Sequence, residues 1–110
     1  MKLPNADRAA VETAKLRDYC LNPDHPRGRH KARVFAAALG LSADHWDELR
    51  DALLKAARTE QATATDQDEY GQRYVVDFTM NGPAGRARIR SCWIVRSGED
   101  IPRLTSCYVL

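Results

Sequence analysis

One stretch of the chain, HPRGRHKAR, gathers two histidines and four cations around a predicted helix start. Lysine or arginine can pair with a phosphate, and the free N–H groups at a helix N-terminus favour an anion. Histidine can give or take a proton near neutral pH. The candidates for such chemistry are His25, Arg29, His30, Lys31 and Arg33. The sequence supports a second interpretation equally well: a solvated, basic helix start in which the His25 ring forms hydrogen bonds within its own loop.

Two predicted strands carry further groups that can meet a phosphate. Alternation along the segment RARIRSCWIV puts Arg86 and Arg90 on one face, where arginines can follow a phosphate backbone or form the solvated face of a sheet. We expect Arg86 to be solvated and Arg90 to have the better prospect of lying in a site. In the last strand, hydroxyls at Thr105, Ser106 and Tyr108 can donate to a phosphate, although threonine and tyrosine also favour strands for packing.

Other chemistries are not supported by the sequence. It contains no Walker glycine loop, no Gly-x-Ser-x-Gly elbow and no His-Glu-x-x-His motif. The three cysteines, Cys20, Cys92 and Cys107, are odd in number and far apart, so they predict neither a disulfide framework nor a zinc site. We expect reduced thiols, no metal site and no small-molecule cofactor.

Length and composition describe one ordinary globular domain, residues 1–110. The chain has 44% hydrophobic and 29% charged residues and a net charge of +2, so it is not a polycation and any basic surface must be local. It shows no secretory signal and no stretch approaching the ~18 apolar residues of a membrane span. We therefore expect a cytoplasmic protein with no membrane partner.

Hydrophobic periodicity predicts an α+β fold. The helical period covers three N-terminal segments, residues 12–20, 29–39 and 43–57. Residues 59–69 are polar and predict a linker or one weak edge strand. The period then alternates, which predicts a sheet over residues 72–109 with Tyr74, Val76 and Phe78 on one face. Together these patterns predict three helices packed on a twisted antiparallel sheet of three to four strands.

Five segments of the chain resemble a known bacterial family. They are KLPNADR (residues 2–8), KLRDYCLNPDHPRGRHKARVF (15–35), YGQRY (70–74), WIV (93–95) and PRLT (102–105). Together they span nearly the whole chain, and the pattern Leu-Asn-Pro-x-His-Pro-x-Gly-x-x-Lys-Ala is fairly specific. The family comprises small uncharacterised bacterial domains. Similar domains form the C-terminal toxic tips of contact-dependent inhibition systems and other polymorphic toxins.

The resemblance implies both a fold and an activity. Such toxin tips look like the barnase, colicin and RelE-like ribonuclease group, in which a helical N-terminal part packs on a twisted antiparallel sheet. The implied activity is cleavage of RNA, often transfer RNA, with inhibition by a cognate immunity or antitoxin protein. This chain departs from the toxin-tip pattern, because we expect it to start at its own methionine without a delivery region. Cys20 also stands where we would expect leucine.

A metal-independent ribonuclease needs a base for the ribose 2′-hydroxyl, an acid for the 5′-oxygen and donors for the charged phosphorane. We assign His25 the acid or base role and Lys31 the phosphate-stabilising role, with His30 as the reserve for His25. Arg90 and Thr105 complete the phosphate pocket. Further RNA or phosphate contacts are expected from Arg29, Arg33 and Tyr108. The products would carry 2′,3′-cyclic phosphate and 5′-hydroxyl ends.

Two other functions compete with the ribonuclease. The first is a non-catalytic interaction module, such as the antitoxin or adaptor half of a two-gene pair. It predicts a tight protein complex and little effect of His25→Ala. The second is an RNA-binding domain without turnover, which predicts a salt-dependent complex with intact RNA. We rank the ribonuclease first, the interaction module second and the passive RNA binder third.

Overall fold

The fold is α+β, as predicted, with three helices ahead of a four-stranded antiparallel sheet. We describe it from a computed structural model that covers residues 1–110. The helices are α1 (Thr13–Lys15), α2 (Arg29–Leu39) and α3 (Trp46–Thr59), with 3-10 turns at Ala6–Arg8 and Ala43–His45 and a π-helical turn at Leu16–Cys20. The strands are β1 (Ala62–Asp68), β2 (Gly71–Gly82), β3 (Gly85–Arg96) and β4 (Pro102–Val109).

The four strands form a meander in which each strand pairs with the next along the chain. All three pairings are antiparallel. The polar segment predicted as a linker or weak edge strand forms the edge strand β1, which is exposed beyond Ala62. Small and polar residues suit an edge, because an apolar edge would invite pairing with other chains.

The helices cover one face of the sheet, and the core lies between the two layers. Side chains alternate along β2, so Val76 and Phe78 are buried while Asp77 lies on the outer face. The buried Ser91 hydroxyl donates to the Val76 carbonyl at 2.7 Å and accepts the Trp93 indole N–H at 2.9 Å. These bonds satisfy the polar groups that the core would otherwise leave unpaired.

The first helical segment differs from its prediction. Residues 12–20 are predicted as one regular helix, but only Thr13–Lys15 is α-helical and a π-helical turn follows. In that turn the Leu21 N–H donates to the Leu16 carbonyl at 2.8 Å. The wider turn buries both Leu16 and Cys20. Periodicity alone does not reveal such a turn, because the same apolar residues still face the core.

The other two helices agree more closely with the sequence. Helix α2 spans the predicted residues and ends at Gly40, whose φ of 72° is the left-handed conformation that glycine favours. Helix α3 begins at Trp46, after a 3-10 turn in which the His45 Nδ1 accepts the Ser42 N–H at 2.9 Å. None of the helices has the length and apolar character needed to cross a bilayer.

Two glycines with positive φ allow a matched test of how β2 meets β3. Gly71 has a φ of 144°, and a Cβ there would lie 2.1 Å from the Val95 carbonyl oxygen, whereas Gly98 has a φ of 83° and open space around it. We expect Gly71→Ala to lower the free energy of unfolding by about 3 kcal/mol and Gly98→Ala by about 1 kcal/mol. Urea unfolding of both variants measures the difference. Equal losses would contradict the close strand contact at Gly71.

Candidate functional site

Lys31 lies half-buried where helix α2 meets the edge strand β4. Its Nζ donates hydrogen bonds to the Tyr19 hydroxyl oxygen at 3.3 Å and to the Ser106 hydroxyl oxygen at 3.1 Å. The same ammonium lies 4.9 Å from the centre of the Tyr19 ring and 5.9 Å from that of Tyr108. It forms no ion pair with a carboxylate. Lys31 is therefore a partly desolvated cation held only by neutral groups.

The Lys31 ammonium and the Tyr19 hydroxyl leave two hydrogen-bond donors free. A lysine ammonium carries three N–H bonds, and a hydroxyl can accept and donate at once. Since two N–H bonds of Lys31 go to Tyr19 and Ser106, its third N–H and the Tyr19 O–H proton have no acceptor in the protein. The Ser106 hydroxyl also forms a hydrogen bond with the Cys20 thiol. Two adjacent donors with one positive charge match the oxygens of a phosphate group.

Close packing brings Tyr19 to the start of helix α2. A Cβ at Gly28 would lie 2.2 Å from the Tyr19 carbonyl oxygen, so only glycine allows this approach. His25 stabilises the loop between Tyr19 and α2, because its Nδ1 accepts the N–H of Arg27 and that of Gly28, each at 3.0 Å. The His25 ring also meets the Tyr19 ring edge-on, with 4.8 Å between their centres. The loop therefore positions Tyr19 relative to Lys31.

A β-bulge turns two consecutive residues of β4 toward Lys31. The register between β3 and β4 shifts after the pair Cys92 and Ser106, which leaves Thr105 as the extra residue. Neighbouring residues of a regular strand face opposite sides of the sheet, yet Thr105 and Ser106 line the same cavity as Lys31. Bulges often redirect side chains next to functional sites. The Thr105 hydroxyl itself donates to the Cys92 carbonyl at 3.1 Å.

Two open cavities lie on either side of Lys31. The polar cavity, of about 420 Å³, is lined by Glu12, Ala14, Lys15, Tyr19, Lys31, Thr105 and Ser106. The apolar cavity, of about 300 Å³, is lined by His30, Lys31, Val34, Tyr108 and Val109. Because Lys31 lines both, the two cavities meet at this side chain, and we refer to them together as the groove.

The structure brings four predicted site residues together and leaves four outside the two cavities. Lys31, His30 and Tyr108 share the apolar cavity, and Thr105 lies in the polar one. His25 reaches this group only through the Tyr19 ring, and its Nδ1 is occupied by its own loop. The three predicted arginines, Arg29, Arg33 and Arg90, line neither cavity.

The predicted arginines fall into two groups. Arg29 and Arg33 are exposed on α2 and form no ion pair. Arg90 lies opposite Tyr108 on the outer face of the sheet and holds Asp77 through two hydrogen bonds, each of 2.9 Å. This pairing raises the pKa of Arg90 and lowers the pKa of Asp77. The charge of Arg90 is thus already balanced within the protein, whereas the charges of Arg29 and Arg33 are not.

Several groups in the groove are not among the predicted site residues. Glu12 and Lys15 line the polar cavity, and Tyr19 binds the Lys31 ammonium together with Ser106, whose hydroxyl the last strand already offered as a phosphate donor. The helical period places Tyr19 on the inner side of the first helix, which gives no sign that its hydroxyl reaches Lys31. The π-helical turn and the β-bulge decide where these side chains lie, and neither leaves a signature in the sequence.

A pair of buried thiols lies close to this site. Cys20 and Cys107 are both fully buried. The hydrogen bond from Cys107 lowers the pKa of Cys20 to about 7, with a smaller contribution from the charge of Lys31, and it raises the pKa of Cys107. Burial raises the pKa of the third thiol, Cys92. All three cysteines are free, and no group of three or more His, Cys, Asp or Glu side chains is arranged to hold a metal ion.

The ion pair between Asp77 and Arg90 predicts a pH-dependent contribution to stability. Because the pKa of Asp77 is lower in the folded protein than its ordinary value of 3.8, the contribution is present at neutral pH and is lost as the pH falls below that value. We expect Asp77→Asn to lower the free energy of unfolding by about 1 kcal/mol at neutral pH, since the pair is partly exposed, and to have no effect in acid. Urea unfolding across this pH range measures both. A loss that does not change with pH would contradict the ion pair.

Comparison with known proteins gives a family but no activity. Residues 2–110 match the family described as "Domain of unknown function (DUF6883)". No curated protein matches the chain. Neither result links the chain to toxin domains or to ribonucleases. Because the match covers nearly the whole sequence, the chain belongs to the DUF6883 family.

Proposed function

We propose that this domain is a metal-independent endoribonuclease of the bacterial toxin type. The observation that carries the proposal is the Lys31 site, where one ammonium N–H and the Tyr19 hydroxyl proton are free beside an open groove. Donors arranged in this way can stabilise the charge that develops on a phosphorane. Only the family resemblance supports transfer RNA as the substrate and an immunity or antitoxin protein as the inhibitor.

The charges around helix α2 support an anionic substrate. Its first turn contains no acidic residue and carries Arg29, His30 and Lys31 instead. A cation near a helix N-terminus costs about 0.3–1 kcal/mol, because the helix dipole is positive there. Arg33 adds a further unpaired charge one turn later. These unpaired cations lower the stability of the folded protein. RNA phosphates would compensate for that cost by pairing with them.

Cleavage would proceed by attack of the ribose 2′-oxygen on the adjacent phosphorus. A base removes the proton of the 2′-hydroxyl, the bond from phosphorus to the 5′-oxygen breaks, and an acid protonates that oxygen. In our proposal Lys31 and Tyr19 hold the phosphate oxygens, and Ser106 positions the Lys31 ammonium. Glu12 and His30, which lie in the two cavities that share Lys31, are the base and the acid. The products are a 2′,3′-cyclic phosphate and a 5′-hydroxyl.

The geometry favours His30 over His25 for proton transfer. Because the His25 Nδ1 accepts two backbone N–H groups, the neutral ring carries its proton on Nε2 and keeps no free lone pair. Protonation of Nδ1 would break both loop hydrogen bonds. We therefore give His25 a positioning role at the start of α2. Thr105, whose hydroxyl donates to the Cys92 carbonyl, supports the bulge in the same way.

A non-catalytic interaction module is the second candidate function. Strand β1 is an edge strand whose residues beyond Ala62 are all exposed. An open edge can pair with a strand of a partner protein through backbone hydrogen bonds. Such a module would bind its partner tightly and leave RNA intact, so the same cleavage assay separates the two functions.

The first test is cleavage of total bacterial RNA by the purified protein in EDTA. We expect discrete fragments with 2′,3′-cyclic phosphate ends, and Lys31→Met should slow their appearance about 100-fold or more because it removes charge from the phosphate site. Lys55→Met, at an exposed lysine of α3, is the control and should cleave like the wild type. Loss of cleavage in EDTA, or equal rates for the two variants, would contradict the proposal.

A second test separates the roles of the two histidines. His25→Asn keeps an acceptor near the position of Nδ1 but cannot titrate, so we expect it to fold and to cleave RNA like the wild type. His30→Gln should slow cleavage by about 100-fold to 10,000-fold, as expected when a general acid is removed. Cleavage rates and thermal unfolding of both variants provide the readout. A folded but inactive His25→Asn variant would return the proton-transfer role to His25.

A further inference from the structure

We infer that the apolar cavity beside Lys31 binds one unpaired nucleobase, so that the RNA is single-stranded or looped where it meets the site. This inference rests on the proposed function and specifies its substrate. The cavity is formed by the Tyr108 ring and the side chains of Val34 and Val109, together with His30 and Lys31. It therefore offers an aromatic ring and aliphatic surface directly beside the cation proposed to hold phosphate.

The position of Val34 is unusual for its residue type. It is 45% exposed, and it is the one large hydrophobic side chain on a helix that is exposed to this degree. It follows His30 by four residues and Lys31 by three, so all three share one side of α2. Val34 is not part of the hydrophobic core, so its exposed surface is free to pack against an apolar ligand.

A nucleotide is the ligand whose chemistry fits both parts of the groove. The phosphate donors and the apolar cavity meet at Lys31, and a nucleotide joins a phosphate to a flat, largely apolar ring. A volume of about 300 Å³ lies at the small end of ligand pockets, which suits one ring system. Bases within a duplex are stacked on their neighbours, whereas unpaired bases are free to stack on an aromatic side chain.

The lining also predicts how selective the base contact is. Val34 and Val109 offer no hydrogen-bonding group from their side chains, and only His30, Lys31 and the Tyr108 hydroxyl are polar. Stacking on an aromatic ring tolerates every base, because each base has a π-face. We therefore expect the subsite to distinguish unpaired from paired RNA, and to distinguish the four bases only weakly.

The test uses a 2′-O-methyl RNA strand, which cannot be cleaved because the attacking hydroxyl is blocked. Binding is followed by fluorescence anisotropy for the single strand, for the same strand in a duplex, and for versions with one abasic position at a time. We expect the duplex and one abasic position each to lower the affinity about tenfold. Val34→Ser and Tyr108→Ala should abolish the difference between base-bearing and abasic strands, whereas Tyr108→Phe should retain it. Tyr70→Ala, at an exposed tyrosine outside the groove, is the matched control.

Equal affinity for base-bearing and abasic strands, or no binding of either, would overturn the base subsite. The cavity would then be open to an apolar side chain of a protein partner instead. Failure of the base subsite and failure of the nuclease proposal give different results. Base-dependent binding without cleavage of ordinary RNA would support the subsite and refute the enzyme. Cleavage without base-dependent binding would support the enzyme and refute the subsite.

Discussion

The half-buried ammonium of Lys31 links the helical layer to the edge of the sheet. It bonds to Tyr19, 12 residues earlier in the chain, and to Ser106, 75 residues later. Both hydrogen-bond partners are neutral, and the ammonium forms no ion pair with a carboxylate. The loop at Gly28 brings Tyr19 close to Lys31, and the β-bulge turns Ser106 toward it. Without the lysine, neither hydroxyl would have this hydrogen-bond donor.

The distribution of charge differs between the outer face of the sheet and helix α2. The outer face of the sheet contains arginines that are paired with nearby carboxylates, such as Arg90 with Asp77 and Arg73 with Asp68. Helix α2 has the opposite character, because its first turns carry cations without acidic partners. A net charge of only +2 conceals this contrast. The electrostatic case for an RNA substrate therefore depends on local geometry and not on composition.

Much of the fold could be predicted from the sequence because it follows from local periodicity. The alternation of Val76, Asp77 and Phe78 placed each side chain on its correct face, and helix α2 spans its predicted residues. The assembly of the site depends on features that periodicity does not encode. A π-helical turn carries Tyr19, and a register shift brings Thr105 and Ser106 to one cavity.

The predicted roles of individual residues also depend partly on local sequence and partly on geometry that the sequence pattern does not encode. Lys31 is a candidate from its residue type and from its place near a helix start, and the structure places it beside two hydroxyls and two cavities. The loop bonds of His25 and the pairing of Arg90 with Asp77 are set by backbone geometry and by strand register. Residue type alone could not distinguish a histidine with a free ring nitrogen from one that accepts two backbone hydrogen bonds.

The phosphate site that we propose at Lys31 and the Tyr19 hydroxyl can be tested without any assumption about catalysis. The protein has four lysines, so selective isotope labelling of lysine would give four side-chain signals in an NMR spectrum. Titration with a nucleoside 2′,3′-cyclic phosphate should shift the Lys31 signal strongly and saturably, and leave those of Lys2 and Lys55 nearly unchanged. Equal small shifts at all four lysines, or none at Lys31, would contradict the account.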